Sequence, residues 1–182
     1  MLDFIIITSP RSGSHMLATA IDCMPDVHFL GEYKGYNAPH DYHPDRREFF
    51  IVHADQWALF CRNENPVPLR KIFLTRGKSD RWRSRRVAQF YANQMHYSEH
   101  VELSVPSNFQ LPSIKDESLD PGLMSIMDQF TGLELSYEEL TGGVNIEFVP
   151  EEAAARIKDH LNLTSDKTLL RPSYVKPTLR IT

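Results

Sequence analysis

DFIIITSPRSGSHMLATAIDCM, residues 3–24, is the stretch on which the fold turns. Asp3 to Thr8 is a short apolar, β-branched run that stops at Ser9-Pro10, the pattern of a strand buried on both faces, as in a parallel sheet. Ser9 to Ser14 predicts a tight polar turn with a glycine and a serine suited to capping a helix. From His15 to Met24 the apolar side chains Met16, Leu17, Ala20, Ile21 and Met24 keep helical spacing, and Pro25-Asp26 stops the helix. Val27 to Leu30 reads as a second short strand leading into Gly31-Glu32. Strand, turn, helix, strand predicts a βαβ unit, and hence an α/β fold with an open parallel sheet flanked by helices.

Working outward, Tyr33 to Arg47 is polar, aromatic and proline-punctuated, which predicts a long loop. Phe49 to His53 is a third strand candidate, followed by a short helix around Asp55 to Cys61. Lys71 to Thr75 reads as a later strand, and Asp80 to about Tyr97 as a helix with arginines on its first turns. Residues 101–121 carry little apolar periodicity. Leu123 to Phe130 predicts a helix, Leu133 to Tyr137 a strand ended by Glu138-Glu139, and Pro150 to Leu161 a helix with Pro150 at its first position. There is no internal repeat and no convincing second domain, so one domain spanning 1–182 is expected.

The 182 residues carry 20 basic and 24 acidic side chains, with 41% apolar content. That composition excludes a disordered or low-complexity chain. No apolar run approaches the roughly 18 residues of a membrane span, and the N-terminus lacks the basic region of a secretion signal. Two cysteines, Cys23 and Cys61, cannot build a disulfide framework and read as buried packing residues. A cytoplasmic protein with no membrane partner is the expectation. Charge is segregated: Arg70 to Arg86 holds eight bases and one acid, whereas residues 97–152 hold twelve acids and one base.

The first turn carries chemistry. A strand turning sharply into a helix leaves backbone N–H groups at the helix start, and small residues such as Ser12, Gly13 and Ser14 let an anion approach them. Arg11 adds a bidentate donor for phosphate, and the serine hydroxyls add further donors. There is no GxxxxGK[ST] and no strand ending in an aspartate placed for Mg²⁺, so a P-loop nucleotide or sugar kinase is the weaker alternative. A second anion site is expected where the strand 71–75 delivers Arg76 to its C-terminal edge, with Ser84 eight residues further on the next helix. Two anion sites in one small domain point to a ligand with two separated phosphates. A non-catalytic phosphate or nucleic-acid binder using the 70–86 block is the other alternative. The acidic remainder of the chain, and the lack of aromatics among the arginines, speak against nucleic acid.

These residues resemble the sulfotransferase family. Ser9-Pro10-Arg11-Ser12-Gly13-Ser14-His15 looks like its 5′-phosphosulfate loop, and Lys71 to Arg76 with Ser84 looks like its 3′-phosphate motif. Cys23 to Glu32 is similar to the segment that ends in the catalytic glutamate of tyrosylprotein-type and other glutamate-using members. Leu135-Ser136-Tyr137-Glu138-Glu139-Leu140 is similar to the family's Tyr-Glu-Asp-Leu strand end. The family often has Asp-Pro or Asn-Pro after the arginine, where this chain has Gly77-Lys78.

The resemblance implies a P-loop NTPase-like sulfotransferase fold and the donor 3′-phosphoadenosine 5′-phosphosulfate, PAPS, with adenosine 3′,5′-bisphosphate as product. It implies that Arg11, Ser12, Gly13, Ser14 and His15 lie at the phosphosulfate, that Arg11 stabilises the leaving phosphate, and that Arg76 and Ser84 bind the 3′-phosphate. The acceptor is a small-molecule or sugar hydroxyl, or an amine. Two residues compete as its base. Glu32 matches the glutamate pattern, with burial expected to raise its pKa, and His53 lies where small-molecule sulfotransferases place a histidine. His15 is expected to flank the phosphate pocket. Tyr33, Tyr36, Tyr42 and Trp57 are candidates to line an acceptor pocket, with core packing as the alternative. His40, His43 and Asp45 read as a polar loop rather than a metal site. Glu138 and Glu139, adjacent on a strand, would point to opposite faces and form no carboxylate pair.

Overall fold

A computed structural model of the chain describes residues 1–35, 45–78, 80–82, 85, 118–142, 149–165 and 169. Ser84, Tyr36, Tyr42, His40 and His43 lie outside the described residues, as does most of the predicted 80–97 helix. The elements are β1 (Leu2–Thr8), α1 (Ser14–Asp22), β2 (Val27–Glu32), β3 (Arg47–His53), a 3₁₀ turn (Ala54–Gln56), α2 (Trp57–Asn63), β4 (Arg70–Thr75), α3 (Pro121–Met127), β5 (Leu133–Ser136), α4 (Tyr137–Thr141) and α5 (Glu151–Leu161). All strands pair in parallel in the order β2-β3-β1-β4-β5. The expected α/β architecture with an open parallel sheet is present.

The sheet separates two apolar cores because side chains alternate faces along each strand. Phe4 and Ile6 of β1, Phe49 and Ile51 of β3, and Ile72 and Leu74 of β4 point to one face, where they meet Leu17 and Ile21 of α1 and Ile157 and Leu161 of α5. Ile5, Ile7, Phe50, Val52 and Phe73 point to the other, against Phe60 of α2 and Leu123 and Ile126 of α3. β1 is buried from both sides, which is why its sequence is continuously apolar rather than alternating.

The β1–β2 connection runs one way across the sheet with α1 on the first face. The β3–β4 connection runs the other way with α2 on the second. Opposite directions on opposite faces are what a single crossover handedness demands. The chain therefore leaves the C-terminal ends of β1 and its neighbours in diverging directions, at the sheet edge where ligands of such folds sit.

Several expectations are corrected. α1 is capped not by a serine but by Gly13, whose φ of 88° is left-handed, and Ser14 is the first helical residue. β2 runs on through Glu32. Tyr137, Glu138 and Glu139 belong to a helix, not to a strand end, because Ser136 and Glu139 form a reciprocal capping box. Pro150 is the N-cap of α5 rather than its first residue. Cys23 and Cys61 are exposed. Tyr33 packs edge-on against Phe50 and Phe60 in the second core, and Trp57 stacks on Phe60, so both serve packing.

Candidate functional site

Register brings the strand ends level. Thr8 of β1 lies opposite His53 of β3 and Leu74 of β4, and Thr75 lies opposite Ser136 of β5. The 9–13 loop thus leaves the sheet between His53 and Arg76. Its backbone is unusual at two places: Arg11 has φ 71° and Gly13 φ 88°, both left-handed. Ser12 is fully buried and Ser9 nearly so, and neither hydroxyl oxygen has a partner among the described residues.

Arg76, just beyond β4, reaches this loop. Its Nη1 donates to the Arg11 carbonyl at 3.1 Å, its Nε is buried without a partner, and its guanidinium lies 3.7 Å from the centre of the Tyr137 ring. Tyr137 in turn lies against Gly13: a Cβ at that position would sit 2.8 Å from Cδ2 and 2.9 Å from Cε2 of the ring. Loop, arginine and aromatic platform are thus interlocked, which brings the two expected anion motifs into direct contact. Tyr137 was legible only as part of a motif, since its stacking partners are 61 and 124 residues away in the sequence.

Glu32 reaches the same edge through a β-bulge. Phe29 pairs with Phe49, but Glu32 pairs with Ile51, so one extra residue is inserted on β2 where Gly31 has φ 105°. An extra residue shifts the alternation by one face. Glu32 consequently points toward α1, whereas Tyr33 packs on the opposite face. His53 shares the α1 side by the alternation of β3. Glu32 Oε1 contacts His15 Nε2 at 2.8 Å and His53 Nε2 at 3.1 Å. The two residues expected as rivals for one role are hydrogen-bonded to each other, and His15 faces the carboxylate.

The expected rise in the Glu32 pKa is also corrected. Burial pushes it up, but the hydrogen bonds from His15 and His53 and the charges of the two rings outweigh burial and hold it below the ordinary value.

The basic block does not form one surface. Arg70 pairs with Asp3 at the start of β4, and Lys71 is buried with Nζ donating to the Leu69 carbonyl at 2.7 Å. Arg76 and Arg81 stand at the other end of the strand, where Arg81 pairs with Asp120. Six strand residues separate the groups by roughly 20 Å. Glu139 is engaged by Arg156 and by the Ser136 N–H, which together with capping hold its pKa low. A cleft of about 260 Å³ lined by Asp26, Arg47, Asn162 and Thr164 lies at the opposite, N-terminal edge of the strands. Its arginine is taken by Asp3 and by the Leu161 carbonyl. Among the described residues no group of His, Cys, Asp or Glu side chains is arranged to hold a metal ion, and no helix is long and apolar enough to cross a membrane.

No protein-family model, curated protein or solved structure matches the chain.

Proposed function

We propose that the protein is a PAPS-dependent sulfotransferase acting on a hydroxyl or amine acceptor. One observation carries this reading: Arg76 reaches the Ser9–Ser14 loop at a point where buried groups of Ser9, Ser12 and Arg76 have no partner. A buried polar group left unsatisfied costs about 1–3 kcal/mol, and anions received there would offset that cost. The orphaned serine hydroxyls fit the phosphosulfate end of the donor and the orphaned Arg76 Nε fits its 3′-phosphate.

The donor would supply an activated sulfuryl group on a phosphate. Arg11, Ser12, Gly13 and Ser14 would hold that end, with Arg11 balancing the electron pair left on the phosphate oxygen as its bond to sulfur breaks. Arg76, with Ser84, would take the 3′-phosphate. Glu32 would receive the proton released as the acceptor oxygen or nitrogen bonds to sulfur.

Calorimetric titration with adenosine 3′,5′-bisphosphate and with adenosine 5′-phosphate tests this without an acceptor. A hydrogen bond to a charged group is worth about 1.5–3 kcal/mol, so the bisphosphate should bind about 10- to 100-fold tighter, and Arg76→Ala should abolish that preference. Equal affinity for the two nucleotides, or a preference that survives Arg76→Ala, rejects the proposal. Binding of ATP that depends on Mg²⁺ would favour a kinase instead.

A further inference from the structure

His15 on α1, Glu32 on β2 and His53 on β3 meet at a single oxygen, and the hydrogen inventory of that meeting restricts what each can do. An ionised carboxylate only accepts hydrogen bonds. Each Nε2 that contacts Glu32 Oε1 therefore carries its hydrogen, and the two N–H groups occupy Oε1 from two sides. The His53 ring is mostly buried, and its Nδ1 is enclosed without a partner among the described residues. With Nε2 committed and Nδ1 enclosed, His53 offers no nitrogen to a ligand at this sheet edge. His15 is more than half exposed and braced edge-on by Phe29 at 5.8 Å.

We propose that His15 and His53 are positioning residues for Glu32: by donating both Nε2–H groups to Oε1 they fix the carboxylate plane and leave Oε2 as the oxygen that takes up a proton. The proposal deepens the sulfotransferase reading, on which it rests for the identity of the proton's source, an acceptor O–H or N–H. The proton moves from that group to Oε2, the bond it leaves supplies the pair that attacks sulfur, and the bond from sulfur to the donor's phosphate oxygen breaks with its pair left on that oxygen. Both rings keep their hydrogens throughout. Any ring protonated from solution becomes a donor at both nitrogens and holds Glu32 more firmly as a carboxylate. Among the described residues, the titratable side chains hydrogen-bonded to Glu32 are these two histidines.

The test uses the ¹⁵N- and ¹³C-labelled full chain and needs no acceptor. Long-range ¹H–¹⁵N spectra at neutral pH should show the Nε2–H tautomer for both rings, and the Glu32 carboxyl carbon should titrate below the ordinary glutamate value. His53→Ala and His15→Ala should each move that midpoint upward, and His53→Gln, which keeps an N–H donor, should restore it in part. His15 is exposed, so its alanine variant reads the effect without threatening the core. An Nδ1–H tautomer on either ring, or a Glu32 midpoint unmoved by both alanine variants, overturns the proposal. Tight bisphosphate binding alongside such a result would leave the sulfotransferase reading standing, whereas loss of nucleotide preference with the expected tautomers would do the reverse.

Discussion

Gly13→Ala should be among the most costly single-methyl additions in this protein, and its cost should divide into two separable parts. At φ 88° and ψ 15° the residue is left-handed, which an alanine adopts at a cost of roughly 1–2 kcal/mol. The new Cβ would also stand 2.8 Å from Cδ2 and 2.9 Å from Cε2 of Tyr137. Relief requires moving an aromatic ring that carries Arg76 on its face at 3.7 Å, and overpacking of this kind costs about 1–3 kcal/mol. The sum is about 2–5 kcal/mol.

A double-mutant cycle with Tyr137→Ala separates the parts, because removing the ring removes the collision and leaves the backbone strain. Measured by urea unfolding, Gly13→Ala should cost about 1–3 kcal/mol more with Tyr137 present than without it, a midpoint difference of roughly 0.5–1.5 M for a slope near 2 kcal/mol/M. Equal costs in the two backgrounds would show that ring and loop are not in contact. The interlock of the loop with Arg76 would then fall with them.

Other perturbations address the frame around the site. Phe49→Ala removes a fully buried ring stacked 4.4 Å from Phe4 and 5.2 Å from Phe29, and should lower the unfolding free energy by about 3–5 kcal/mol; a loss under 1 kcal/mol would deny that stack its place in the core. Ser136→Ala breaks the capping box that turns the chain from β5 into α4 and should cost about 1 kcal/mol in the same assay. The carboxylates of Glu32, Asp120 and Glu139 are all held below their ordinary pKa, Asp120 against burial by the Leu123 and Gly122 N–H groups and Arg81. Their folded forms bind protons less readily than the unfolded chain does. The stability they contribute is therefore complete above the ordinary carboxylate range, about pH 4, and lost as pH falls through the folded values. Urea midpoints should drop across that window, and the drop should be shallower in Asp120→Asn; an unchanged acid slope would contradict the Asp120 contacts.

The sequence announces the sheet more clearly than the site. β1 and β4 are apolar throughout because each has neighbours on both sides and helices on both faces, and that double burial shows directly in Phe4 to Ile7 and Ile72 to Leu74. Strand and helix starts marked by chemistry were also legible: the Ser9–Ser14 turn and the helix after Pro150 are where the residue types require them. Local competition between patterns hides the rest. Ser136 and Glu139 extend the apolar alternation of β5 yet cap each other across three residues, and the capping box wins. For Cys23 and Cys61 residue type alone points to the interior, whereas the cap position after α1 and the outer side of α2 leave them exposed.

The convergence of Glu32, His15 and His53 was not legible because it depends on parity, which no single residue carries. Phe29 belongs to the first core, Leu30 packs against the second, and uninterrupted alternation would return Glu32 to the second and Tyr33 to the first. The observed assignment is the reverse. One extra residue at Gly31 accounts for both side chains at once, and the glycine is there because the bulge needs φ 105°. Among the described residues nothing lies within 4 Å of where its Cβ would be, so the glycine is there for its backbone conformation. A glycine immediately before a charged residue at a strand's C-terminal end, followed by an aromatic with core contacts, therefore marks where alternation breaks. It is the feature by which the strand commits a carboxylate to one face of the sheet and keeps its hydrophobic neighbour on the other.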